Sequence, residues 1–140
     1  MNKVSIIYAT MTKHSKKISE AVAKALQAEA LNVKENPVLG QTELLFVVGG
    51  LYSGESMPEL IEYVKGLDAS KVKSAALITS SVSDKKGQDS VRAILEGKGI
   101  KVLDEYRCLG NFLVAKLGHP NKSEIGGAVD FARKLAGKAA

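Results

Sequence analysis

Apolar runs alternate with longer amphipathic stretches from one end of the chain to the other. Val4-Ser5-Ile6-Ile7-Tyr8-Ala9 is a short β-branched run and predicts a buried strand. Over residues 15–30 the apolar positions Ile18, Ala21, Val22, Ala25 and Leu26 follow helical spacing. Residues 32–38 have room for a short edge strand, and Pro37, which has no N–H for a ladder, confines it to the margin. Leu44-Leu45-Phe46-Val47-Val48-Gly49-Gly50 is the strongest strand signal. Its nearly continuous apolar character predicts a central strand covered on both faces.

Past a Gly/Ser turn, Pro58 can open a helix with Leu60, Ile61, Val64 and Leu67 on its apolar side. Ala75-Ala76-Leu77-Ile78-Thr79 predicts the next strand, and residues 90–96 a helix ended by Gly97 and Gly99. Residues 100–108 alternate like a strand with one wet face. Asn121-Lys122-Ser123-Glu124 has capping-box spacing, and the closing helix places Ile125, Ala128, Val129, Ala132 and Leu135 on one side. The coarse order β-α-β-β-α-β-α-β-α, with a weak second strand, calls for an α/β fold: a parallel sheet with helices on both faces. With 140 residues, one domain over 1–140 is expected. In such a sheet ligands collect at the carboxyl ends of the strands, so the loops at 10–15, 51–57 and 80–87 should be spatial neighbours.

Composition narrows the chemistry. The single cysteine, Cys108, excludes an internal disulfide and a CxxC pair, and His14 and His119 stand without a second ligand at metal spacing, so no metal site is expected. The net charge of +5 favours an anionic ligand or partner. Nucleic acid is not expected, because the lysines are scattered and aromatics, at 5 %, are too few for a stacking platform. No apolar run approaches a membrane span and the first ten residues turn polar too early for a signal peptide, which points to a cytoplasmic protein that does not enter a membrane.

The first loop, Thr10-Met11-Thr12-Lys13-His14-Ser15, leads straight into a helix whose free N–H groups and positive end suit a phosphate. Three hydroxyls and an imidazole can donate to the same anion. Lys13, Lys16 and Lys17 oppose the helix dipole, and a bound dianion would reverse that penalty. A hydroxyl-capped helix start with solvated lysines explains the same residues, and loop chemistry by itself leaves both readings open. The spacing is neither that of a P-loop nor that of a GxGxxG dinucleotide turn. The acids that response regulators carry after their first and third strands are also missing: Tyr8-Ala9-Thr10 and Gly49-Gly50 stand there.

The loop resembles the phosphate loop of the flavodoxin family, Ser/Thr-x-Thr-Gly-Asn/His-Ser/Thr directly after the first strand. Thr10, Thr12, His14 and Ser15 match, with Lys13 in the glycine place. Gly49-Gly50-Leu51-Tyr52-Ser53-Gly54, followed by Pro58-Glu59-Leu60, is similar to the family's Gly-x-Pro-x-Tyr-x-Gly segment and helix start. Cys108-Leu109-Gly110-Asn111-Phe112 and Gly118-His119-Pro120 resemble small flavodoxin-domain proteins, so the likeness spans about residues 2–137. The resemblance implies a flavodoxin-like three-layer sandwich with a five-stranded parallel sheet in the order 2-1-3-4-5, holding non-covalent flavin mononucleotide (FMN).

By the same resemblance, Thr10, Met11 (through its backbone), Thr12, Lys13, His14 and Ser15 bind the FMN phosphate. Tyr52 stacks on the isoalloxazine, Leu51 or Met57 packs against it, and small Ser53 and Gly54 admit backbone to the flavin edge. Ser80, Ser81, Val82 and Gly87 close over the pyrimidine side. That third loop has no aromatic, and Lys85 and Lys86 dilute Asp84 and Asp89, which implies weaker FMN binding and a raised second reduction potential. Cys108 reads as a small buried side chain and His119 as a turn residue, so no catalytic residue is assigned. The implied function is electron transfer to redox protein partners of acidic character, by a monomer or weak homodimer. Two alternatives stand beside it: an FMN-dependent oxidoreductase for a quinone-like or porphyrinogen substrate, and a non-flavin phosphate-binding module.

Overall fold

The computed structural model describes residues 3–9, 14–52, 55–81, 87–109 and 122–138. The elements run β1 (Val4–Ala9), α1 (His14–Leu26), β2 (Ala30–Asn32), β3 (Thr42–Tyr52), β4 (Glu55–Ser56), α2 (Pro58–Lys65), β5 (Val72–Ser81), α3 (Asp89–Gly97), β6 (Lys101–Leu109) and α4 (Lys122–Lys138). Five strands form a parallel sheet in the order β2-β1-β3-β5-β6. With the two-residue β4 set aside as an antiparallel arm on the end of β3, this is the expected 2-1-3-4-5.

The central strand has the sequence such a position demands. Leu44, Leu45, Phe46, Val47 and Val48 are all buried, because β3 has a strand on each side and a helical layer on each face. Strand alternation sends odd and even positions to opposite layers. Ile7, Leu45, Val47 and Leu77 face Leu60 and Val64 of α2 and Val91 and Leu95 of α3. Ile6, Phe46 and Ile78 face Ile18 and Val22 of α1 and Ala128 and Ala132 of α4. Small alanines on α4 let that helix lie close to the sheet, and each face carries its own core.

Two expectations are corrected. The edge strand lies at Ala30–Asn32, not over 32–38. Asn32 ends it by accepting a hydrogen bond from the Lys34 N–H at 3.0 Å, which starts a 3-10 turn over Val33–Glu35 closed by Asn36 at φ 49°. A short polar side chain that binds its own backbone competes with the ladder, and here it wins. The first helix stops at Leu26 rather than at residue 30. Gln27 turns left-handed at φ 54°, while Ala28 N–H reaches Ala23 O at 2.9 Å and Gln27 N–H reaches Lys24 O at 3.4 Å. This is a Schellman-type ending with glutamine where glycine is usual.

Other boundaries agree more closely. Pro58 occupies the first turn of α2, and Gly99, at φ 86°, closes α3 with Ile100 N–H on Leu95 O at 3.0 Å. Gly97 is the last residue of that helix rather than its stop. Asn121 of the expected capping box lies outside the described residues, and α4 follows it from Lys122. Among the described residues no helix is long and apolar enough to cross a membrane.

Candidate functional site

Register brings the three loop origins together at the carboxyl edge of the sheet. Ala9 at the end of β1 pairs with Gly49, Gly49 with Thr79, and Thr79 with Arg107. One row further out, Gly50, Ser80 and Cys108 stand side by side. The connections that leave β1, β3 and β5 therefore start from adjacent strands, as expected of the switch point of such a sheet.

Of the residues assigned to the phosphate, Thr10, Met11, Thr12 and Lys13 lie outside the described residues. His14 is the first residue of α1, and Ser15 in the same turn is buried while Lys16 and Lys17 are exposed. The helix N-terminus thus does follow β1 directly. Ser53, Gly54 and Val82 are likewise outside the described residues.

β3 continues past the sheet to Tyr52 and folds back through β4, with Leu51 opposite Ser56 and Tyr52 opposite Glu55. The second loop is therefore a hairpin with two residues between its strands, the shortest ordinary connection. Leu51 is buried, and Met57 belongs to the core with Leu60 and Val64, so Met57 packs inward. Glu55 fastens the hairpin to α3: its Oε1 accepts from Ser90 Oγ at 2.7 Å and from Ser56 N–H at 3.1 Å. Those two hydrogen bonds, the one from Ser90 first, hold its carboxyl below the ordinary value.

Ser80 and Ser81 end β5, and Gly87 opens the approach to α3. Here the structure contains a polar cluster that sequence reading missed. Gln88, fully buried, lays its side-chain amide across the β3–β5 seam, with Nε2 3.2 Å from Val47 O, 3.1 Å from Ile78 O and 3.1 Å from Thr79 Oγ1. A methyl at Gly49 would stand 2.8 Å from Leu60 Cδ2 and 3.1 Å from Gln88 Oε1, so this glycine makes room for the amide.

Beside Gln88, the Glu105 carboxylate accepts from Thr79 Oγ1 at 2.5 Å and from Gln88 N–H at 2.9 Å through Oε2. Its Oε1 meets Arg92 Nη2 at 3.1 Å and Arg107 Nη2 at 3.5 Å. The Glu105 side chain is 2 % exposed, against 33 % and 42 % for the two arginines. Gly87 touches this group too, since a Cβ there would lie 2.5 Å from both carboxylate oxygens. A bulge in β6 aims Glu105 inward: Ala75 pairs with Val102 but Leu77 pairs with Glu105, two steps against three. The adjacent charges Asp104-Glu105 inside an alternating strand were the available signal.

Ser56 and Ser80 supply a different feature. Both are buried, and among the described residues neither hydroxyl has a hydrogen-bond partner, a state shared by Ser19 Oγ on α1 and Gln88 Oε1. Orphaned buried hydroxyls are uncommon, and these two stand at the bases of the second and third loops. Spare polar groups at the carboxyl edge fit a flavin, whose ring edge carries both donors and acceptors. Among the described residues no group of His, Cys, Asp and Glu could hold a metal ion. A cavity of about 250 Å³, lined by Pro37, Tyr63, Leu67 and Val72, is at the opposite, amino end of the sheet. Tyr63 Oη donates to Pro37 O at 2.6 Å there, and burial pushes its hydroxyl pKa up.

No protein-family model and no curated protein matches the chain. Solved structures do. A short-chain flavodoxin associated with a non-canonical PDU bacterial microcompartment superposes with a TM-score of 0.72 at 17 % identity, covering 100 % of both chains. A flavodoxin from the domain Archaea gives 0.66 at 10 % identity over 98 % of each. Rubredoxin oxygen:oxidoreductase from Desulfovibrio gigas gives 0.71 at 14 % identity, but this chain spans only 36 % of that protein. The fold is therefore flavodoxin-like.

Proposed function

We propose that this chain is an FMN-binding electron-transfer protein of the cytoplasm. The observation that carries the reading is the adjacency of the β1, β3 and β5 ends, from which the two flavodoxin-patterned loops and the third loop depart. The full-length likeness to flavodoxins supports it. FMN, when bound, supplies the redox chemistry.

The chain's own residues have four tasks. The α1 N-terminus, with Thr10, Thr12, His14 and Ser15, would hold the phosphate by N–H and hydroxyl donors. Tyr52, at the end of β3, would cover the ring, and Ser53 and Gly54 would bring backbone to its edge. Ser56 and Ser80 would find in the ligand the partners they lack among the described residues. The positive net charge would select acidic redox partners, which approach a monomer or weak homodimer.

An absorption spectrum of the purified chain tests the proposal. Flavin bands at roughly 375 and 450 nm should be present or return on adding FMN. A chain that takes up no FMN at micromolar concentration contradicts it.

A further inference from the structure

Glu105 is an expensive residue where it stands. Burying a carboxylate costs several kinds of solvation, and an apolar side chain would fill the space between Thr79 and α3 without that cost. Yet three separate features accommodate it. The bulge in β6 turns it inward, Gly87 leaves the room its two oxygens occupy, and Gln88 offers its free N–H at the start of α3. Packing between β5 and α3 does not need them, because Leu77, Val91 and Leu95 already provide it.

The placement of its partners shows what the carboxylate joins. Thr79 lies two residues before the end of β5, and Gly87 and Gln88 are the first described residues on the far side of the connection to α3. One carboxylate oxygen, Oε2, is shared between those two ends. The other oxygen, Oε1, takes both guanidinium groups, so one negative charge faces two positive ones.

We propose that Glu105 is a positioning residue for the flavin: it ties both ends of the β5–α3 connection together and offsets the positive field of Arg92 and Arg107 at that edge. The proposal rests on the FMN reading above. A carboxylate in this role does two things that a packing residue does not. It fixes the Gln88 amide in every state of the protein, and its charge enters the energy of adding electrons nearby.

The test compares the full chain with Glu105→Gln, Arg107→Gln and Gly87→Ala variants, first without flavin and then with FMN and riboflavin. In flavin-free E105Q, hydrogen exchange at the Gln88 amide should accelerate by about tenfold or more while the Ile18 and Val22 amides keep their rates. FMN and riboflavin should lose affinity by a common factor of about tenfold, because the ring site loosens and the phosphate site does not. The reduction potential should rise in E105Q, which leaves two unbalanced guanidiniums, and fall in R107Q, which removes one. G87A pushes a methyl against the same carboxylate and should reproduce the exchange and affinity changes even if E105Q fails to fold. Unchanged exchange at Gln88 in both E105Q and G87A overturns the proposal, as do potentials that fail to move in opposite directions. A wild-type chain that takes up no FMN overturns the functional reading and with it the flavin role, whereas uptake with unshifted potentials overturns only the latter.

Discussion

On one face of the sheet, Phe46 and Ile78 meet Ile18, Val22 and the alanines of α4, and the buried polar groups of that layer are small serines such as Ser15 and Ser19, with no buried charge among the described residues. On the other, the apolar row Leu45, Val47 and Leu77 under α2 and α3 gives way at the carboxyl edge to Gln88, Thr79 and the Glu105 ion cluster. The same central strand contributes to both. The first face illustrates how stability accumulates from shape and area. The second gives up part of that gain to hold polar groups in a fixed arrangement beside the loops, where a ligand would need rigid support.

Truncation should separate the two faces most sharply. Phe46→Ala removes a fully buried ring from the apolar face and should cost about 3–5 kcal/mol, read as a lowered urea midpoint. A loss well under 1 kcal/mol would mean that this face is loosely packed. Gly49→Ala probes the other face, since its methyl must displace Leu60 or the Gln88 amide; a loss of about 1–3 kcal/mol is expected. Full wild-type stability there would show that the amide is not held in place.

Smaller effects lie outside both layers. Gln27→Gly relieves the left-handed residue that ends α1 and should raise stability by about 0.3–1 kcal/mol, a control touching neither core. The pH dependence at the Glu55–Ser90 tie should be smaller still. Because the folded carboxyl sits below the ordinary 4.5, its contribution is complete above that pH and fades as pH falls through the lower folded value. Wild type and Ser90→Ala should therefore differ in urea midpoint near neutrality and converge in acid. A difference that grew in acid would reverse the sign assigned to this contact.

The apolar face was legible in the sequence because periodicity reports burial directly. Ile18, Val22 and Ala128 were placed by helical spacing, Phe46 by its continuous apolar run, and the parallel sheet by the alternation of elements, while the strand order came from the resemblance to flavodoxins. What escaped were local conflicts between side chain and backbone. Gln27 and Asn36 take left-handed conformations that their residue types do not announce, and Asn32 ends a strand by hydrogen-bonding its own chain. The Glu105 cluster escaped for a different reason: its members lie on β5, β6 and α3, and only a one-residue bulge decides that Glu105 points inward. Gly87 was assigned to the flavin by resemblance, and the structure sets it against the Glu105 carboxylate.

The central claim is that FMN binds at the carboxyl edge, and an amide-resolved NMR titration with FMN tests it most directly. Saturable shifts should concentrate at Ser15, Leu51, Ser56, Ser80 and Gly87, leaving Tyr63 and Val72 around the amino-end cavity unmoved. Shifts centred on Tyr63 and Val72, or none that saturate, would contradict the account.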